Sequence, residues 1–86
     1  MTCPPDAPSR FVGLDIHKHY LVAVGVDAAQ QHLFGPQRVA YADLSTWIAS
    51  HLSKDDAVVL EVTTNAFQIH DELQPHVRSV TLVQLS

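Results

Sequence analysis

Two short apolar runs, Phe11-Val12-Gly13-Leu14-Asp15-Ile16 and Ala57-Val58-Val59-Leu60-Glu61-Val62, constrain this chain more than any other feature, because each delivers a carboxylate at its end. Aliphatic runs of this length suit strands buried within a sheet. An acid at the tip of such a strand sits where the chain surfaces, and open α/β sheets place their sites at the C-terminal ends of their strands. The recurrence of the pattern matters more than either copy: one strand-end acid is commonplace, whereas two in adjacent strands bring a metal site level with the reading that each merely marks where a strand surfaces.

The segments around these runs fix how the two strands are connected. Tyr20-Leu21-Val22-Ala23-Val24-Gly25-Val26 is β-rich and is separated from the first strand only by His17-Lys18-His19, which predicts a tight hairpin. A third run, Gln31-His32-Leu33-Phe34-Gly35, reaches a turn or edge at Pro36 and resumes through Arg38-Val39, giving an antiparallel meander. Over residues 42–52, Leu44, Trp47, Ile48 and Leu52 recur at helical spacing, with Asp43 near the positive end of the helix. After a solvated turn at Ser53-Lys54-Asp55-Asp56 comes the second acid-tipped strand. Thr63-Thr64-Asn65 offers caps for a short helix bearing Phe67, Ile69, His70 and Leu73, which Pro75 ends, and residues 77–83 alternate as a last strand.

The order β-β-β-α-β-α-β predicts an α/β fold with a mixed five-stranded sheet in the order 3-2-1-4-5, because strand–helix–strand connections are right-handed crossovers between parallel strands. Both crossovers run the same way, so both helices should cover one face. Residues such as Val22, Val24 and Val59 would then meet water on the other, and a homo-oligomer, a dimer or larger, is the expected remedy. Residues 10–86 read as one domain. Residues 1–9 hold three of the five prolines and read as a disordered or loosely packed tail.

Five Lys and Arg against nine Asp and Glu leave a net charge of −4. That argues against independent DNA binding, which normally uses a basic face, but leaves room for a metal-dependent nuclease site, which concentrates carboxylates. Cys3 has no partner for an intramolecular disulfide, and no run suggests a membrane span or signal peptide, so a cytoplasmic, membrane-free setting is expected. The six histidines show no close metal-binding spacing, which speaks against zinc. Asp15 and Glu61, as neighbours, would repel one another and call for a cation, with magnesium or manganese the natural choice.

The Gly-aliphatic-Asp-aliphatic-x-Lys opening over residues 13–18, followed by the residue 22–26 strand and by Leu60-Glu61-Val62-Thr63, resembles the start of the RuvC-like domain of DEDD-type insertion-sequence transposases, the bridge-RNA-guided recombinases. The similarity spans about residues 11–83. It implies a ribonuclease-H-like fold, truncated after its fifth strand, that acts on DNA phosphodiesters with Mg2+ or Mn2+. Asp15 and Glu61 would be two of four catalytic, metal-binding carboxylates. Two further Asp residues and a later domain with a nucleophilic serine would lie downstream, so this fragment alone should be inactive. DNA and a guide RNA are the partners the resemblance implies. It also suggests a phosphate contact for Lys18, and Thr63 is a second candidate for substrate contact, although a solvated hairpin lysine and a helix cap are the better accounts of the two. Thr64-Asn65 stands where the family usually has a glycine.

Two other classes fit parts of the pattern. An actin-like ATPase or sugar-kinase hairpin also carries Gly-x-Asp, but wraps phosphate with small residues where this chain has His17-Lys18-His19-Tyr20. A non-catalytic interaction module would need no metal. Trp47 shares a helical face with Leu44 and Ile48 and reads as core, and Asp55, Asp56, Asp71 and Glu72 read as solvated.

Overall fold

The computed structural model describes residues 9–61 and 66–84. Strand β1 (Arg10–Ile16) and strand β2 (Tyr20–Asp27) form the expected hairpin, closed by the His17 N–H donating to the Tyr20 carbonyl at 2.9 Å. The Asp27 carboxylate accepts from the N–H groups of Ala29 and Gln31, both at 2.9 Å, and so turns the chain into β3 (His32–Ala40). A 3-10 turn over Tyr41–Asp43 leads into α1 (Leu44–His51), then β4 (Asp56–Glu61). Helix α2 (Ala66–Leu73) continues into a 3-10 turn, Gln74–His76, and β5 (Ser79–Val83) completes the sheet.

The strand order is β3-β2-β1-β4-β5, with β1, β4 and β5 mutually parallel and the meander antiparallel. This is the mixed α/β architecture that the strand pattern predicts. Among the described residues no helix is long and apolar enough to cross a membrane.

Local differences from the expectation have local causes. β3 runs unbroken past Pro36 because it is an outer strand, where a missing N–H need not cost a ladder bond; its pairing with β2 shifts register near Gly25. α1 stops at His51, and Leu52 is extended yet still buried. In α2, Ile69 and Leu73 lie one helical turn apart and face the core, whereas Phe67 is rotated away and 64% exposed. Pro75 falls inside the trailing 3-10 turn, and the final strand begins two residues later than its apolar pattern, at Ser79. The tail, apart from Ser9, and the capping segment Thr63-Thr64-Asn65 lie outside the described residues.

Alternation along the strands sorts the sheet into two unlike faces. Val12, Leu14 and Ile16 of β1, with Leu21, Ala23, Val58 and Leu60, point to the side where Leu44, Trp47, Ile48, Ile69 and Leu73 pack, and all are buried. On the other side stand Phe11, Gly13 and Asp15 of β1, Val22 and Val24 of β2, and Val59 and Glu61 of β4. Phe11 and Val59 are 38% and 37% exposed, and neither helix covers this face.

Asp56 is not the solvated turn residue that its neighbours suggest: it is 1% exposed and is the register partner of Arg10 across β1 and β4. Arg10 Nε and Nη2 donate to Asp56 Oδ1 and Oδ2 at 2.8 and 2.7 Å, a bidentate pair. Nη2 also donates to the His51 carbonyl at the end of α1, and the guanidinium lies 5.5 Å from the centre of the Phe34 ring. Asp56 Oδ2 accepts from the Ser53 N–H at 2.8 Å as well. The hydrogen bond to Asp56 raises the Arg10 pKa above its ordinary value. On the guanidinium side the pair's contribution is thus lost as pH rises through that raised value.

Removing Asp56 would leave Arg10 and the Ser53 N–H without their shared acceptor. Asp56→Ala should destabilise the domain by about 3 kcal/mol, the low end for a broken buried pair because Arg10 keeps some water contact. Arg10→Lys should cost less, since it keeps the charge but not the fork. Urea unfolding monitored through Trp47 would measure both, and an Arg10→Lys variant as stable as the parent would contradict the bidentate role.

Candidate functional site

Asp15 and Glu61 are the residues that follow the last register pair between β1 and β4, Leu14 with Leu60. The equal spacing from the ion pair to each acid explains their alignment. Asp15 lies five residues after Arg10 and Glu61 five after Asp56. An odd number of steps along a strand reverses the face, so the carboxylates emerge on the uncovered side while the ion pair stays on the helix side.

Both acids line one open concavity of about 500 Å³, whose walls are Val22, Val24, Val59 and Val83 and whose floor includes Gly13. Gly13 has no positive φ, and a Cβ built on it would meet nothing within 4 Å. The fold does not require glycine there; its effect is to leave the strand backbone accessible beside Asp15.

His17 is the site residue that the histidine spacing did not reveal. Its Nε2 lies 3.1 Å from Asp15 Oδ2, and since an ionised carboxylate only accepts, Nε2 carries the proton and donates. Residues two apart on an extended chain share a side, and that periodicity was the available signal. The His17 ring stacks on Tyr20 with centroids 4.7 Å apart, and the Tyr41 hydroxyl donates to the His17 carbonyl, tying the hairpin to the turn before α1. Tyr20 in turn carries the Arg38 guanidinium 4.1 Å from its ring centre. The side chains of Asp15 and His17 are 60% and 41% exposed, so the pair is open to solvent.

Lys18 is exposed at the hairpin tip and does not line the concavity. Thr63 lies outside the described residues. Trp47 is core, 6% exposed, with its Nε1–H donating to Gln37 Oε1 at 3.2 Å. Among the described residues no group of three or more His, Cys, Asp or Glu is gathered as a metal-binding set. The sheet brings the two carboxylates to a single opening, and His17 touches Asp15 without lining that opening. Compared with protein-family models, with curated proteins and with solved structures, the chain matches none.

The two kinds of glycine should respond oppositely to a methyl group. Gly13→Ala should leave stability unchanged or raise it by about 0.5 kcal/mol, because the space is open and the unfolded chain loses freedom. Gly35 has φ +88°, and a Cβ there would fall 2.2 Å from the Ala23 carbonyl oxygen, so Gly35→Ala should cost about 1–3 kcal/mol. Denaturation midpoints of the two variants provide the comparison; a large loss at Gly13 would mean that its place in the sheet, rather than the opening, demands glycine.

Proposed function

We propose that this chain is the N-terminal part of a ribonuclease-H-like, RuvC-like catalytic domain of a DEDD-type transposase, in which Asp15 and Glu61 supply two of four carboxylates for a divalent-metal site acting on DNA phosphodiesters. One observation carries the reading: two acids at the C-terminal ends of neighbouring parallel strands line the same opening on the uncovered face of a 3-2-1-4-5 sheet. The sequence resemblance adds the reaction, the guide RNA and the remaining carboxylates as parts of the whole protein.

The donor set suits magnesium or manganese. Hard cations of this size take one or two carboxylates and keep several waters, and Asp15 presents its oxygens largely to solvent. When bound, the ion would supply charge stabilisation at a phosphoryl oxygen and an activated oxygen nucleophile. Within this chain, His17 donates to Oδ2 of Asp15 and restrains the carboxylate's rotation while leaving its other oxygen open. Valines line the sides of the opening, and Gly13 gives a phosphodiester close access to the strand backbone. A nucleotide-wrapping hairpin of the kinase type has less support, because the turn between β1 and β2 is built from His17, Lys18 and His19 rather than small residues.

The metal reading has a direct test. Mn2+ added to the 15N-labelled chain should broaden the amide signals of residues 14–16 and 60–61 selectively, with weak affinity, and Asp15→Asn should abolish the effect. The isolated chain should not cleave DNA. Broadening spread over unrelated acids such as Asp71, or metal-dependent cleavage lost in Asp15→Ala, would each contradict part of the proposal.

The exposed apolar face also supports self-association of the isolated chain, since Phe11, Val22, Val24 and Val59 form a patch that burial would stabilise. Sedimentation equilibrium should show a concentration-dependent dimer or larger species that Val59→Lys shifts to monomer. A monomer at all concentrations would exclude this use of the face.

A further inference from the structure

The pairing registers place more than the two acids on one line. Arg38 pairs with Val22, Val22 with Asp15, and Glu61 with Val83, so Arg38, Val22, Asp15, Glu61 and Val83 form a single row across the uncovered face. Arg38 is two strand spacings from Asp15, about 10 Å. We infer that Arg38, braced by Tyr20, holds a phosphate of a nucleic-acid strand lying along this row, next to the phosphodiester served by Asp15 and Glu61. The inference rests on the metal-site reading for the strand's position, and on the following chemistry for the contact itself.

Arg38 is exposed, and among the described residues its guanidinium makes no hydrogen bond or ion pair; its partner is the face of Tyr20 at 4.1 Å. The contact places the guanidinium over the ring without consuming its N–H donors, which leaves them for a phosphate. Arg10, by contrast, is engaged with Asp56 and Phe34 on the covered side. Tyr20 is itself stacked on His17, and His17 donates to Asp15, so one continuous series of contacts runs from the cation to the carboxylate. A phosphodiester strand suits this row because it presents regularly spaced anions to a cation at one end and, through a metal, to the acids at the other. With a net charge of −4, the chain offers no general basic surface, so the contact should be local and weak.

The test is titration of the 15N-labelled chain with a short oligodeoxythymidylate at low salt in the presence of Mg2+. Amide shifts should centre on residues 20–22 and 37–39. Arg38→Ala should weaken binding about tenfold, as for loss of a charge-assisted contact, and should lower the slope of log affinity against log salt by about 0.7, as for one single-strand phosphate. Arg38→Lys should fall between, and Lys54→Ala, which removes an equal charge before β4, should change neither. An unchanged thermal midpoint in Arg38→Ala would separate a contact from a structural role. Arg38→Ala binding as tightly as the parent with the same salt slope, no binding by the parent, or equally tight binding of polyglutamate would each overturn the inference. If Arg38 responds but Mn2+ leaves residues 14–16 and 60–61 unbroadened, the metal reading fails and the phosphate contact stands; the reverse pattern keeps the metal reading and removes the contact.

Discussion

The pair between Arg10 and the buried Asp56 aligns the centre of this sheet. The two residues are register partners at the start of β1 and β4, and their bidentate geometry is satisfied only when the strands are level. In a parallel pair, a slip of one residue would send every aliphatic side chain of a strand to the wrong face. The aliphatic pattern alone resists an odd slip, but a slip of two residues would preserve the faces. The ion pair distinguishes these, because a two-residue slip would strand a carboxylate among Val58, Leu60 and the helices. The pair also reaches the His51 carbonyl, so the end of α1 is fixed to the same point.

From that alignment the unlike faces follow. The covered face is aliphatic beyond the Arg10–Asp56 pair and is packed by Trp47, Ile48, Ile69 and Leu73. The uncovered face mixes valines, a glycine and two acids, a composition poor for a solvent surface and poor for a core. Such a surface is consistent with one that another molecule meets: its apolar walls are partly exposed, its floor is bare backbone, and its charges lie at one end. The row from Arg38 to Glu61 crosses that end with both signs of charge, separated by Val22 and by the width of the hairpin.

Much of this was legible in the residues. The acid-tipped runs and the crossover rule were enough for the strand order, and the spacing of Leu44, Trp47 and Ile48 was enough for α1. Local pattern was weaker where a residue's partner lies far away in sequence. Asp56 reads as a turn acid beside Lys54 and Asp55, and nothing near it announces that Arg10, distant along the chain, will bury it. His17 reads as one of a polar triplet until the strand places it on the same side as Asp15. Phe67 reads as one more apolar residue of α2, yet the helix turns it to solvent because Ile69 and Leu73 already occupy the face that meets the sheet.

Periodicity and chain order determined by themselves that this protein has a mixed sheet with parallel strands at its centre and an acid at the tip of each of two of them, because these are properties of neighbouring residues and of connection handedness. Only the tertiary structure decided that the acids share an opening with Gly13 at its floor and that Arg38 on Tyr20 lies in the same row. Those juxtapositions depend on register between strands, which is set by side-chain packing and, between β1 and β4, by the Arg10–Asp56 pair rather than by any local propensity.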